Sequence, residues 1–146
     1  MVRLECTVRS MVLPPPAESH YQGELAMNEA EKLAERYVAV WNEADPQRRR
    51  ETIAALWAPE GAHYVGTRKV QGYDALEQRV TGSHEKNVRD GGHRFKVSAV
   101  HALQDAVMVD WNMVPRAGDA VVAAGRDVFI VDADHRILID YQFIVG

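Results

Sequence analysis

Apolar residues in the first half of the chain recur at helical spacing. Asn28 and Glu31 resemble a capping box, in which each side chain bonds a backbone donor that the start of a helix leaves free. The apolar stripe that follows consists of Leu33, Tyr37, Val40 and Trp41. Because these positions share one helix face, we predict a first helix that begins near Asn28 and ends near residues 42–44.

Two further helices are predicted around a short strand. Asp45 and Pro46 are a typical N-cap and first-turn pair, and the second helix ends before Pro59. The apolar stripe of this helix consists of Ile53, Leu56 and Trp57. Residues 61–66 are β-prone, and Gly72 precedes a third helix in which the apolar residues are Leu76 and Val80.

From His93 onward, apolar and polar residues alternate, which is typical of strands. Turn residues divide this region into segments 93–103, 106–115, 120–132 and 136–145. Each connection is too short for a parallel crossover, so we predict an antiparallel meander. Helices on one face of a curved antiparallel sheet give an α+β fold, with a cavity between the two layers.

The first residues of the chain follow neither period. Residues 1–26 contain the run Pro14–Pro16, which favours an extended conformation, and we interpret them as an arm or linker. The remaining residues, 27–146, are expected to form one domain.

Composition excludes several classes of partner. The 17 Lys and Arg residues against 21 Asp and Glu residues give a net charge of −4, so neither nucleic acid nor an anionic membrane surface is an expected partner. The single cysteine, Cys6, cannot form an internal disulfide, which favours a cytoplasmic location. No apolar run is long enough to span a membrane.

Four segments together resemble the nuclear transport factor 2-like superfamily, which includes SnoaL-like polyketide cyclases, ketosteroid isomerases and limonene epoxide hydrolases. The segments are residues 33–45, 53–65, 70–80 and 125–143. The resemblance implies a cone-shaped α+β domain with three N-terminal helices. It implies little about chemistry, because this fold supports many unrelated functions.

The catalytic positions of two of these families are only partly matched. The resemblance places Tyr37 and Asp127 at the tyrosine and the oxyanion-stabilising acid of the ketosteroid isomerases, but the position of the base is Val65. At the three charged positions of the epoxide hydrolases, this chain has Asp110, Asn112 and Gln142. Neither family's own reaction is therefore expected.

The resemblance also implies that Asp127 points into the cone, and strand alternation then determines its neighbours. On this register, we predict inward side chains on both adjacent strands. The predicted substrate contacts are Trp41, Val65, Met108, Asp110, Asn112, Phe129, Asp140 and Gln142.

Three residues are predicted to carry the chemistry. His63 shares the inward register of Val65, and its ordinary pKa near neutrality suits a general base. Burial would raise the pKa of Asp127, so that this acid or Tyr37 would stabilise an oxyanion. The alternative is structural: a core histidine bonded to a carbonyl or an aspartate, a satisfied acid and a packing tyrosine.

The same alternation predicts an apolar outer sheet face. Its side chains would be Val109, Trp111, Val128, Ile139, Tyr141 and Phe143. Because an exposed apolar face is costly in water, we predict a homodimer through this face.

No metal or nucleotide motif is complete. His84 and Glu85 lack the second histidine of the zinc-protease helix, and we expect neither a metal nor a cofactor. The leading hypothesis is a SnoaL-like acid–base enzyme that isomerises, cyclises, dehydrates or hydrolyses a small, mostly apolar carbonyl, epoxide or polyketide-like molecule. The alternative is a non-catalytic ligand-binding, dimerisation or adaptor module.

Overall fold

The computed structural model describes residues 25–145, and its order of elements confirms the predicted α+β class. The helices are α1 (Met27–Asn42), α2 (Pro46–Leu56) and α3 (Tyr73–Ser83), and α3 continues as a π-helical segment (His84–Arg89). The strands are β1 (Trp57–Val65), β2 (Arg68–Gln71), β3 (His93–Leu103), β4 (Ala106–Pro115), β5 (Ala123–Val131) and β6 (Ile137–Val145). The predicted arm, residues 1–26, lies outside the described residues except for its last two, of which Leu25 is buried in the core.

One predicted helix cap is present and the other is not. Asp45 is the N-cap of α2, and its carboxylate accepts a hydrogen bond of 2.9 Å from the backbone N–H of Gln47. The N-cap of α1 is Ala26, so Asn28 lies inside the first turn and accepts a hydrogen bond from the N–H of Glu29 instead. The capping box is absent because the helix begins upstream of the residue that would cap it.

The six strands form one sheet in the order β2-β1-β6-β5-β4-β3. Strands β3 to β6 are the predicted antiparallel meander. Strand β1 is parallel to β6, so the sheet is mixed rather than purely antiparallel. This pair aligns His63 with Asp140 and Val65 with Gln142, residues that are distant in sequence.

The helices cover one face of this sheet and bury a single core. The largest fully buried side chains are Trp57, Tyr37, Phe129, Ile53, Leu56 and Leu76. Irregularities in the strand pairing between Val97 and Ala99, and between Ile130 and Val131, are sites where a sheet bends. Within residues 25–145, no helix combines the length and the apolar character that crossing a membrane requires.

The predicted orientation of β4 is wrong by one residue. The pairing of β4 with β5 sets Val109 opposite Asp127, and Asp110 stands opposite Arg126. The core-facing side chains of β4 are therefore Val107, Val109 and Trp111, all buried. Those on the outer face are Met108, Asp110 and Asn112. On that face, the carboxylate of Asp110 accepts a 2.6 Å hydrogen bond from Arg126 Nε.

Candidate functional site

A cavity of about 300 Å³ lies between the helices and the inner sheet face. This volume is at the small end of pockets that bind small molecules. The polar residues that line it are Tyr37, Arg79, Ser83, Lys86, Asn87 and Gln142. Aromatic walls are formed by Trp41, Phe95 and Trp111. Of the predicted site residues, Tyr37, Trp41 and Gln142 thus reach the cavity.

Directly beneath the cavity, four buried polar side chains from four elements converge. The hydroxyl of Tyr37 on α1 lies 2.8 Å from Oδ2 of Asp127 on β5 and 2.7 Å from Oδ2 of Asp140 on β6. The Nδ1 atom of His63 on β1 lies 2.7 Å from the same Oδ2 of Asp140. The tertiary structure thus brings the three predicted catalytic residues into one cluster with Asp140, below the cavity wall.

The carboxyl of Asp127 is held in place by two donors. The indole N–H of Trp111 donates to Oδ1 at 2.7 Å, and the amide of Gln142 donates to the same oxygen at 3.2 Å. Gln142 Nε2 also lies 3.4 Å from Oδ2, the oxygen that is bonded to Tyr37 at 2.8 Å. Trp111 therefore both walls the cavity and orients an acid beneath it.

Arg79 of α3 links this cluster to the cavity. Its Nε–H donates to Nε2 of His63 at 3.3 Å, and its Nη2–H donates to Oε1 of Gln142 at 3.0 Å. Arginine has no acceptor, so Nε2 of His63 carries no proton. The proton of the neutral imidazole is then on Nδ1, where it donates to Asp140.

The position of Tyr37 requires a proton on one of the two carboxyls. A single hydroxyl proton cannot be donated to both oxygens, so one carboxyl must donate to Tyr37. Burial, followed by the charge of Asp140, raises the pKa of Asp127 well above its ordinary value. Burial raises the pKa of Asp140 to about 6. Asp127 is therefore the protonated acid that donates to Tyr37, and Tyr37 donates to the ionised Asp140.

These assignments leave His63 uncharged at neutral pH. Burial, followed by the charge of Arg79, lowers the pKa of His63 to about 4. Its Nε2 atom is covered by the guanidinium, so a substrate would have to displace Arg79 in order to reach it. The role of His63 as the general base stays a prediction, and Asp140 is better placed because it is ionised near neutrality.

The same cluster has a spacing that a metal ion could use. His63, Asp127 and Asp140 each offer a ligand atom, and these atoms lie within 4.8 Å of one another. The hydroxyl of Tyr37 lies between the two carboxyls, so shared protons account for the close approach of these groups. That no metal is bound stays a prediction.

The remaining predicted contacts lie away from the cavity. The ring of Phe129 packs against the ring of Tyr37, with 4.6 Å between centroids, and supports it from within the core. Val65 lines a second, more open hollow with Tyr64 and Tyr141. Three predicted contacts on β4 face the opposite side of the sheet, and the prediction that they line the cavity is wrong; they are Met108, Asp110 and Asn112.

Two important residues were not predicted for the site. Arg79 lies three residues after Leu76 and four before Ser83, both buried, so its helical spacing placed it beside the covered face of α3. Trp111 alternates with Val107 and Val109, and a run of three apolar residues at period two is typical of a core-facing strand. Both signals were therefore present in the sequence.

Replacing Asp127 with asparagine should change how stability depends on pH. The folded protein keeps the Asp127 proton above the ordinary pKa of 3.8, where the unfolded chain releases it. The contribution of Asp127 to the free energy of unfolding should therefore fall as pH rises, by about 1.4 kcal/mol for each pH unit in this window. The substituted asparagine would not titrate, so Asp127→Asn should gain stability relative to the wild type as pH rises above about 4, measured by urea unfolding.

A matched control lies on the neighbouring strand. The Arg126 guanidinium beside Asp110 holds the pKa of that carboxyl below its usual value, so Asp110 is ionised in both states above about pH 5. The stability difference between the wild type and Asp110→Asn should then be constant over this range. If the Asp127→Asn difference is equally flat, the proton assigned to Asp127 is absent.

Comparison with known proteins agrees with this architecture. The sequence matches the model of the SnoaL-like domain over residues 34–138. No curated protein sequence matches the chain. A solved structure of a candidate isomerase of the SnoaL-like family from Agrobacterium tumefaciens is 25% identical, with a TM-score of 0.74 over 82% of this chain and all of that one (100%).

Two more distant structures share the fold. A candidate ketosteroid isomerase from Kribbella flavida is 18% identical, with a TM-score of 0.60 over 80% of this chain and 78% of that one. A candidate polyketide cyclase from Sinorhizobium meliloti is 15% identical, with a TM-score of 0.58 over 76% of this chain and 93% of that one. At these identities the likeness concerns the fold, and the chemistry must be argued from the site.

Proposed function

The chain belongs to the SnoaL-like domain family, and from its buried proton network we propose that it is a cofactor-independent acid–base enzyme acting on a small carbonyl compound. One observation carries the proposal: Tyr37, which lines the cavity, lies within hydrogen-bond distance of two buried acids. Burial raises the pKa of Asp140 to about 6 and that of Asp127 well above its ordinary value. Titratable groups whose environments separate their pKa values are typical of acid–base sites.

The network supports proton transfer through Tyr37. In the proposed reaction, Tyr37 Oη accepts a proton from the carbon next to a substrate carbonyl and passes its own proton to Oδ2 of Asp140. The C–H electron pair forms an enolate, and the guanidinium N–H groups of Arg79 stabilise its oxygen. Return of a proton from Tyr37 to a different carbon gives an isomer, and Asp140 then returns its proton to Tyr37. Attack of the enolate carbon on a second carbonyl instead gives a cyclised alkoxide, which takes its proton from Tyr37.

Exchange of substrate hydrogen for deuterium tests this chemistry without knowledge of the natural substrate. Small cyclic ketones and enones would be incubated with the protein in D₂O, and loss of the α-proton signal would be followed by NMR. We expect exchange of at least one compound well above the buffer rate. If probes bind in the cavity but none exchanges, the non-catalytic ligand-binding module, which the full burial of Asp127, Asp140 and His63 favours, replaces this proposal.

We also propose that the outer sheet face binds a second copy of the chain. Val109 and Trp111 do not belong to that face, but three apolar side chains of β6 remain exposed there: Tyr141 at 39%, Phe143 at 54% and Val145 at 46%. Burial of such a patch against its own copy is the usual solution in symmetric dimers.

Light scattering on a sizing column should show a dimer for the wild type. Phe143→Lys should shift the protein to the monomer, because a charge would be buried in the interface. Leu103→Lys is the control, since Leu103 is 73% exposed beside the β3–β4 turn and away from β6. A monomeric wild type would refute the predicted dimer.

A further inference from the structure

The charged side chains among the described residues that line the cavity are all positive. Arg79 and Lys86 line the cavity, and none of the described residues that line it is Asp or Glu. Within residues 25–145, neither cation forms an ion pair with a carboxylate, and the ring of His63 lies between Arg79 and the carboxylate of Asp140. The lining thus has a positive charge that the protein does not neutralise at the cavity surface.

The guanidinium of Arg79 is held in one orientation by its neighbours, and only some of its N–H donors form hydrogen bonds. Of its five N–H donors, one on Nε and one on Nη2 are engaged by His63 and Gln142. Its Nη1 atom donates to no group in residues 25–145. The guanidinium carbon lies 5.0 Å from the centre of the Trp41 ring, which supports the plane of the charged group. A planar fork of donors held in this way matches a carboxylate.

We propose that the cavity binds a small carboxylate, with the anionic group on Arg79 and an apolar body between Trp41, Phe95 and Trp111. Binding of the carboxylate does not depend on the proposed reaction. Only its description as the substrate rests on the proposed function, for which it specifies the substrate class. Lys86, exposed at the cavity rim, adds long-range attraction for an anion. A carboxylate bound to Arg79 would lie in the same cavity as Tyr37, because both residues line it. The two residues are also linked by hydrogen bonds through His63 and Asp140.

Pairs of acids and amides test the inference on the wild-type protein. The probes are phenylacetate, cinnamate and cyclohexanecarboxylate, each compared with its primary amide, in an NMR titration of the tryptophan indole N–H signals. The signals of Trp41 and Trp111 should shift, because both residues line the cavity. The signal of Trp57, which is fully buried outside the lining, is the internal reference. At least one acid should bind about tenfold more tightly than its amide.

Variants then assign the preference to one side chain. Arg79→Gln should weaken binding of the acid about tenfold or more and leave the amide unchanged, while Arg79→Lys should keep part of the preference. Arg50→Gln is the control, because Arg50 is an exposed arginine that pairs with Glu77 away from the cavity. The acid–amide comparison on the wild type decides the question even if Arg79→Gln fails to fold.

Three outcomes would overturn the inference. They are equal binding of every acid and its amide, unchanged acid binding in Arg79→Gln, and displacement of the acid by inorganic phosphate at equal affinity, which would indicate a general anion site. Failure of the proposed function is distinct: acids bind through Arg79, but no probe exchanges its α-proton. Exchange of neutral ketones together with equal binding of every acid and its amide would instead support the proposed enzyme and exclude the carboxylate ligand.

Discussion

Tyr37→Phe should reduce the rate of α-proton exchange by about 100-fold or more, within the range that general acid–base groups contribute. Among the residues that the structure describes, Tyr37 is the only one that lines the cavity and also contacts both acids, at 2.8 Å for Asp127 and 2.7 Å for Asp140. Phenylalanine keeps the ring packing on Phe129 and removes the path for the proton. The measurement is the exchange rate in D₂O per mole of folded protein.

Tyr73→Phe is the matched control for this substitution. The hydroxyl of Tyr73 donates to the backbone oxygen of Trp57 at 2.9 Å and is not among the groups that line the cavity. Each substitution removes a buried or half-buried hydrogen bond and should cost roughly 1–3 kcal/mol in the free energy of unfolding. Only Tyr37→Phe should lower the exchange rate, and equal rates in the two variants would show that Tyr37 carries no proton.

Asp127→Asn tests whether exchange needs a carboxylic acid at this position or only a polar group that can form the same hydrogen bonds. The amide of the introduced asparagine would donate to Tyr37 as the protonated acid does, and its oxygen would accept from Trp111. The fold should therefore be kept. An amide N–H is a weaker donor to Tyr37 Oη than a carboxylic acid, so Tyr37 should pass its proton to Asp140 less readily. We expect slower exchange with an intact core, and a fully active variant would assign Asp127 a structural role.

Gly125→Ala should destabilise the fold by about 3 kcal/mol, because an added Cβ is more crowded there than at any other glycine that the structure describes. A Cβ at this position would lie 2.1 Å from Cζ2 and 2.4 Å from Cε2 of Trp111. The indole cannot move cheaply, because its N–H is bonded to Asp127 and its ring packs edge-on against Phe95. Strand β5 would therefore have to move away from β4 near Gly125. Urea unfolding followed by circular dichroism measures the loss.

Gly82→Ala provides the opposite expectation in the same domain. Nothing lies within 4 Å of a Cβ at Gly82 in α3, so alanine should stabilise the helix by about 0.5–1 kcal/mol.

A smaller ring at position 111 should reduce the cost of Gly125→Ala. The loss of stability caused by Gly125→Ala should be smaller in a Trp111→Phe background than in the wild type. Additive costs would mean that the indole does not press on residue 125.

Local sequence was sufficient for the helices and the four long strands, whereas β2 (Arg68–Gln71) was not predicted and β1 begins at Trp57 rather than at residue 61. The four long strands are within three residues of their predicted ends, because Gly, Asp and Pro clusters interrupt the alternation of apolar and polar residues at each turn. Asp45 and Pro46 determine the start of α2 for the same local reason. The inward positions of His63, Asp127 and Asp140 also follow from alternation, once the fold is known.

The errors concern relations between distant segments. The orientation of β4 depends on which residue faces Asp127 across the strand pair, and a shift of one residue reverses every side chain. Alternation within β4 alone does not determine that partner, and the prediction that Asp110 points inward is wrong for this reason. The structure places Val109 there, and the charge of Asp110 is instead balanced by Arg126 on the outer face.

By itself, the sequence determined the three helices, the four long strands and the residue types available for chemistry, since these depend on contacts within a few positions of the chain. Only the tertiary structure decided that Tyr37 lies between two acids, and that Arg79 closes the network at the cavity wall. The parallel pairing of β1 with β6 brings His63 and Asp140 together across 77 positions of sequence, and α1 adds Tyr37 from the other layer. The resulting burial raises the pKa of Asp127 and lowers that of His63, so the proton distribution is a property of the folded domain.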